Sequence, residues 1–281
     1  MRCLSLTMAI LILLSSGCDD VKVAQGKIKP NLASAPPQEA EDASKSGSVD
    51  TQGPTAAKPR PARFEKEEET PAEKDPPIPE GAKPLNKNKT LYFETLKDGT
   101  RRVHLLSTVV LREGPLEVFL CKYQTKEHES IVDCDVDARE VHMALVAAKA
   151  VPGTPVKFSP KYTPATGSRI KVTMTYYFNG KLLNKDARYW IKDVRNKKEL
   201  AHDWVFAGSR LENNPDNPQE KYYYANNGEI ISLSNFPDSM LDLPIESTDK
   251  NNELMFEAWT ERIPPKQTKV LITLEPVPAK R

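Results

Sequence analysis

From residue 91 onward, short apolar runs alternate with turn residues, and their period is mostly that of a pleated strand. Val103-His104-Leu105-Leu106-Ser107-Thr108-Val109-Val110-Leu111 reads as one strand, Gly114-Pro115 turns the chain, and Leu116 to Tyr123 reads as the next. Ile131 to Val136 is a third. Arg169 to Phe178, dense in β-branched and aromatic residues, meets Asn179-Gly180 and returns through Lys181 to Ile191. Asn-Gly is a strong hairpin signal because both central residues of a type I′ turn need positive φ. Trp204 to Phe206, Glu229 to Leu233, Leu254 to Trp259 and Lys269 to Leu274 extend the β set. One segment has the helical period instead. Asp137-Ala138-Arg139-Glu140 has the form of a capping box, Val141, Leu145 and Ala148 follow at helical spacing, and Pro152-Gly153 stops the run. The pattern predicts an α+β fold, mainly antiparallel β-sheet with one principal helix packed on it.

Before residue 91 the pattern is different. Met1-Arg2-Cys3 is followed by an apolar run from Leu4 to Leu14 and then by Ser15-Ser16-Gly17-Cys18. One positive charge, a short apolar core and small residues ahead of a cysteine are the layout of an export signal. The run is about half of the roughly 20 residues that a membrane-spanning helix needs. The ending resembles a lipobox, which makes residues 1–17 a signal peptide and Cys18 the lipidated first residue of the mature chain. Ser15 stands where a lipobox usually has Leu, so an ordinary signal peptide cut nearby is the competing reading. Lipidation implies a cell-envelope protein that meets the membrane through its anchor, with its domain facing the periplasm or the exterior.

Residues 18–90 read as a disordered tether. Of the 24 prolines in the chain, 11 fall here, and Phe64 is the only aromatic. Such a stretch buries too little apolar surface to offset the entropy of ordering. Its root-mean-square reach would be roughly 45 Å. Residues 91–281 hold every other aromatic and read as a single globular domain. The formal net charge of the whole chain is +1, which lacks the basic footprint of a nucleic-acid binder.

Two constellations carry chemistry. Cys121 and Cys134 sit on consecutive predicted strands, and alternation can turn both inward. An oxidising compartment would permit a disulfide between them, and two buried free thiols are the alternative. His128, Glu129 and His142 offer imidazole and carboxylate donors suited to a divalent metal such as zinc, if the strand pair and the helix bring them together. Their spacing matches no standard zinc motif, and a solvated turn with a core histidine accounts for the same residues. Gly208-Ser209 lacks the flanking glycines of a nucleophile elbow. Tyr222-Tyr223-Tyr224 could form an aromatic platform for a sugar or a protein partner.

Several strings, taken in order, resemble the YdjY-domain family in the form found on planctomycete-type lipoproteins. They are Lys126-Glu127-His128-Glu129-Ser130, His142 with Ala144-Leu145, and Pro152-Gly153-Thr154-Pro155-Val156. Further on come Trp204-Val205-Phe206-Ala207-Gly208-Ser209, the stretch from Asn235-Phe236-Pro237 to Leu243-Pro244, and Ile263-Pro264-Pro265. The resemblance implies export and no defined activity. A ferredoxin label attached to some relatives would need about four thiolates, and only Cys121 and Cys134 remain for that purpose. Two functions are therefore expected as rivals, with no cofactor required by the first. One is a non-catalytic module binding an envelope protein or a cell-wall component. The other is a metal-binding domain or metal-dependent enzyme using His128, Glu129 and His142.

Overall fold

The structure, a computed structural model, describes residues 73–214, 217–247 and 254–278. The signal peptide, Cys18 and the tether up to residue 72 lie outside the described residues. In chain order the strands are Lys83–Pro84 (β1), Leu91–Thr95 (β2), Arg101–Val109 (β3), Val118–Lys122 (β4), Ser130–Cys134 (β5), Arg169–Phe178 (β6), Lys181–Asp186 (β7) and Ile191–Asp193 (β8). They continue as Lys198–Glu199 (β9), Trp204–Phe206 (β10), Leu211–Asn213 (β11), Lys221–Tyr223 (β12), Ile231–Ser232 (β13), Leu241–Asp242 (β14), Phe256–Ala258 (β15) and Lys269–Pro276 (β16). One α-helix, Ala138–Ala147 (α1), interrupts them among the described residues.

Eight strands close into a barrel in the order β3-β16-β6-β10-β14-β13-β4-β5. β5 returns to β3 by placing Asp133 opposite Thr108 and Val132 opposite Val109. This corrects the expected α+β sheet with a helix packed on it: the molecule is mostly β, and its main sheet is a closed barrel. Nor is the ring uniformly antiparallel, because β4–β5 and β13–β14 run parallel. Alternation could not reveal this. An open sheet and a barrel present the same period of two along each strand, and only long-range pairing distinguishes them.

Register identifies the inner wall. Val109 stands opposite Val132, Val132 opposite Leu120, Leu120 opposite Ile231 and Ile231 opposite Leu241. Leu241 then meets Phe206, Trp204 meets Ile170, and Met174 meets Ile272, which meets Leu105. Directly paired residues share a face, so this apolar set runs round the ring and fills its interior. All of these side chains are buried. Closure also leaves the ring without a free strand edge.

α1 crosses one end of the barrel. Its Val141 and Leu145 are fully buried, and its last turn is tied to β3 because the Arg101 guanidinium donates to the Ala147 carbonyl at 2.5 Å. Asp137 is the N-cap, and its carboxylate accepts from Arg139 N at 2.9 Å. The neighbouring free donor, Ala138 N, goes to Asn226 Oδ1 from a distant loop. Outside the ring, β2 extends β3, β1 extends β2, and β7 folds back on β6 through Asn179 and Gly180, both at positive φ. Part of the stretch assigned to the tether is therefore in the sheet, since Lys83 pairs with Phe93 and Pro84 with Tyr92.

The two cysteines are free buried thiols. In the parallel pair, Cys121 is registered with Asp133 and Lys122 with Cys134. Cys121 and Cys134 thus point to opposite faces of the sheet, which keeps their sulfurs apart despite neighbouring strands. The expectation that both turn inward fails because it assumes a hairpin register. Burial pushes the Cys121 thiol up to about 11 and the Cys134 thiol to about 12, so neither is a ready thiolate.

Candidate functional site

The long segment between β10 and β14 reaches α1 through Tyr223, which meets His142. A tight crossing anchors it. Gly153 N donates to the Phe206 carbonyl at 2.9 Å, and a Cβ on Gly167, whose φ is +135°, would overlap that same carbonyl. The Pro152-Gly153 loop, Gly167 and the end of β10 can therefore meet only with glycine at these positions. From there Gly208 N bonds to Met240 O and Ser209 N to Ser239 O. The Ser209 hydroxyl donates to the Asp238 carbonyl at 2.6 Å, so it is engaged as a turn residue.

His142, on the inner side of α1, packs its ring edgewise on Phe206 at 4.8 Å and on Tyr223 at 5.5 Å. Its Nδ1 lies 2.9 Å from the Tyr223 hydroxyl, which itself donates to the Gly208 carbonyl at 2.9 Å. The tyrosine proton is thus used on the carbonyl, and the histidine must be the donor at Nδ1. Burial holds the imidazole below its usual pKa, in keeping with a neutral ring. The same cause raises the Tyr223 phenol.

His128 and Glu129 lie on the turn before β5, not beside His142. His128 is 75% exposed in its side chain, with Nε2 at 3.7 Å from Glu129 Oε2. Glu129 is drawn away from it by Lys126, whose Nζ approaches Glu129 Oε1 at 2.9 Å, Glu229 Oε1 at 3.3 Å and Glu117 Oε2 at 3.4 Å. Among the described residues no group of three His, Cys, Asp or Glu side chains is placed to hold a metal ion. The place around which three carboxylates converge is filled by an ammonium.

The Lys126 cluster is assembled by folding. Lys126 and Glu129 are three residues apart, but Glu117 and Glu229 come from either side of the β4–β13 pairing, and nothing local signals their approach. Burial works against the charge on Lys126, yet Glu129, Glu229 and Glu117 outweigh it and raise its pKa. Burial, and for Glu117 also the neighbouring Glu129, raises the pKa of Glu117 and Glu229. Lys126 also lies 4.4 Å from the centre of the Phe236 ring.

An aromatic face continues from there. β11 and β12 form a separate hairpin outside the barrel, and the 3-10 turn after it starts at Tyr224. Tyr222 and Tyr224 meet edge to face at 5.2 Å, both half-buried. The Arg210 guanidinium stacks 4.2 Å from the Tyr224 centre and bonds Asp238 at 2.6 Å. Tyr222 donates to Asn227 Oδ1 at 2.6 Å, and its phenol is raised by burial and then by Glu229 and Asp238 nearby. Tyr223, between them, points the other way into the His142 nest, as strand alternation requires.

Comparison with known proteins adds a family. The YdjY domain matches residues 95–275, from the end of β2 to the last barrel strand. No curated protein and no solved structure matches the chain. Five of the strings that suggested this resemblance are linked to one another, through the Gly153–Phe206 crossing, the His142–Phe206 ring contact, the Gly208–Met240 bond and the Lys126–Phe236 contact. Together with a match over most of the barrel, they place the chain in the YdjY domain family.

Proposed function

We propose that this chain is a non-catalytic binding module of the cell envelope, held at a membrane by lipid on Cys18 and presenting the Arg210–Tyr222–Tyr224 face to a cell-wall glycan. The observation that carries the reading is that face. Two half-buried tyrosines stand where a hairpin outside the barrel runs into a 3-10 turn, flanked by Arg210, Asp238 and Asn227. Rigid aromatic surface next to fixed hydrogen-bonding groups suits a polyol, which has apolar ring faces and polar edges. The groups a reaction would need are otherwise occupied. Lys126 is bound by three glutamates, the Ser209 hydroxyl by a carbonyl, and His142 Nδ1 by Tyr223.

Cosedimentation of the purified chain with isolated peptidoglycan tests the reading. Binding is expected, and Tyr222→Ala with Tyr224→Ala should weaken it at least about tenfold, the scale of one lost anchoring contact. No cosedimentation, or equal binding by the double variant, rejects it. A diacylglyceryl group found on an amino-terminal Cys18 by mass spectrometry would support the anchor separately.

A further inference from the structure

After α1 the chain doubles back on itself and forms an arm, residues 149–168, which the glycan-binding reading does not use. Val151 N donates to Ser168 Oγ at 2.8 Å, and Ser168 N to the Val151 carbonyl at 3.0 Å. Thr166 N donates to the Thr154 carbonyl at 3.0 Å. At the far end Lys157 and Thr163 exchange both backbone bonds, at 3.0 and 2.8 Å. Val156 and Ala165 are buried, and the Tyr162 hydroxyl donates to Asn235 Oδ1 at 3.1 Å, so the arm is pinned to the body of the domain.

The double bond between Lys157 and Thr163 leaves residues 158–162 as a tight tip. Phe158 is 54% exposed there, with the Tyr162 ring 6.1 Å from its own. Lys157 and Lys161 flank it, and both are exposed. This exposure belongs to a concentrated stretch. Of the eight large apolar side chains exposed among the described residues, Met143, Val146, Val151 and Phe158 fall within residues 143–158, whereas exposed apolar residues are ordinarily scattered singly. Charge follows the same stretch. Residues 141–168 contain no Asp or Glu, and their only lysines are Lys149, Lys157 and Lys161. Lys126 and Lys192 are held by glutamates, but no described acid pairs with these three.

We propose that the tip of this arm is a membrane contact, in which Phe158 enters the interface of a bilayer whose anionic headgroups meet Lys157 and Lys161. An aromatic ring is favoured at the edge of the hydrocarbon, and lysine lays its stem along lipid while its ammonium reaches the phosphates. A bilayer accepts a projecting ring without a matching pocket, and anionic lipid supplies the charge that this stretch lacks. Each lysine near such a surface contributes roughly fivefold in binding, so the contact alone is weak and reversible. A lipid on Cys18 would strengthen it by keeping the tip close to the bilayer, but the contact does not depend on that lipid or on the glycan-binding face.

Phe158→Trp in the full chain places a reporter at the tip, with the parent giving the background from Trp190 and Trp204, both buried, and the half-buried Trp259. The probe is a vesicle of phosphatidylglycerol and phosphatidylcholine with brominated acyl chains, which quench an indole that reaches them. The added indole should be quenched, and phosphatidylcholine alone should quench it far less. Adding Lys157→Gln and Lys161→Gln should raise the lipid needed for equal quenching roughly 25-fold, the product of two such lysine contributions. No quenching of the added indole overturns the inference. So does equal quenching by phosphatidylcholine alone, or quenching that the lysine changes leave untouched. Cosedimentation of the lysine variant with peptidoglycan should equal the parent's, which separates a failure here from a failure of the glycan reading.

Discussion

Lys126 and Asp242 mark two ways of burying acid in one barrel. Around Lys126, three glutamates share an ammonium that the chain itself provides. At Asp242 a single carboxylate is fully buried with neutral partners, and burial pushes it up to about 7. The contrast teaches that burial alone does not set the state of a carboxylate. The clustered glutamates can remain charged because an opposite charge sits among them, whereas burial among neutral partners favours the protonated form of Asp242.

The largest effect is expected from removing the ammonium. Lys126→Met leaves three carboxylates facing one another, with Glu229 Oε2 already buried and unpaired. Breaking a buried pair by deleting one partner typically costs about 3–5 kcal/mol, or roughly 10 °C in Tm for a domain of this size. Adding Glu229→Gln should restore part of the loss, because it removes one of the stranded charges. Thermal and urea melts of the two variants measure this. A loss below about 1 kcal/mol would mean that solvent already screens the cluster, and the contrast with Asp242 would collapse.

The next effect is a pH slope. A carboxyl group has an unfolded pKa of about 3.9, and Asp242 has a raised value when folded. Between these values the unfolded chain has lost the proton and the folded chain keeps it, so stability falls as pH rises. The fall begins near the unfolded pKa and levels off above about 7, where both states are ionised. It amounts to a few kcal/mol over that window, at about 1.4 kcal/mol per unit of difference. Asp242→Asn mimics the protonated acid and should remove this slope, gaining on the parent as pH rises from 4 to 7. Urea melts across that range in chelator make the comparison. Parallel pH profiles for the two proteins would show that Asp242 is already ionised at low pH.

How much of this was legible follows from range. The β6–β7 hairpin was readable because Asn179-Gly180 states its own turn, and α1 because Asp137 and Pro152-Gly153 bracket it. Barrel closure was not, because Thr108 opposite Asp133 is a pairing that neither strand announces. The parallel run of β4 and β5 was also hidden, and that register is what turns Cys121 away from Cys134. The same limit applied to the sites. Tyr222 and Tyr224 could be suspected from their spacing, and the His142 helix was visible. Lys126 became important only when the β4–β13 pairing brought Glu117 and Glu229 to it, and Asp242 only when folding enclosed it.

The smallest effect is expected at the residue that the sequence made most prominent. His128 is 75% exposed in its side chain, and Glu129, at 3.7 Å from it, is held more closely by Lys126 at 2.9 Å. An exposed pair of this kind is worth little, since water and salt screen it and the side chains lose freedom to form it. His128→Ala should therefore change stability by less than about 0.5 kcal/mol. Elemental analysis of parent and variant, purified without chelator, carries the sharper test. If His128 and Glu129 recruit a metal, the parent should hold zinc near one equivalent and the variant should lose it. Equal content in the two would leave the ammonium of Lys126 as the cation that organises this turn.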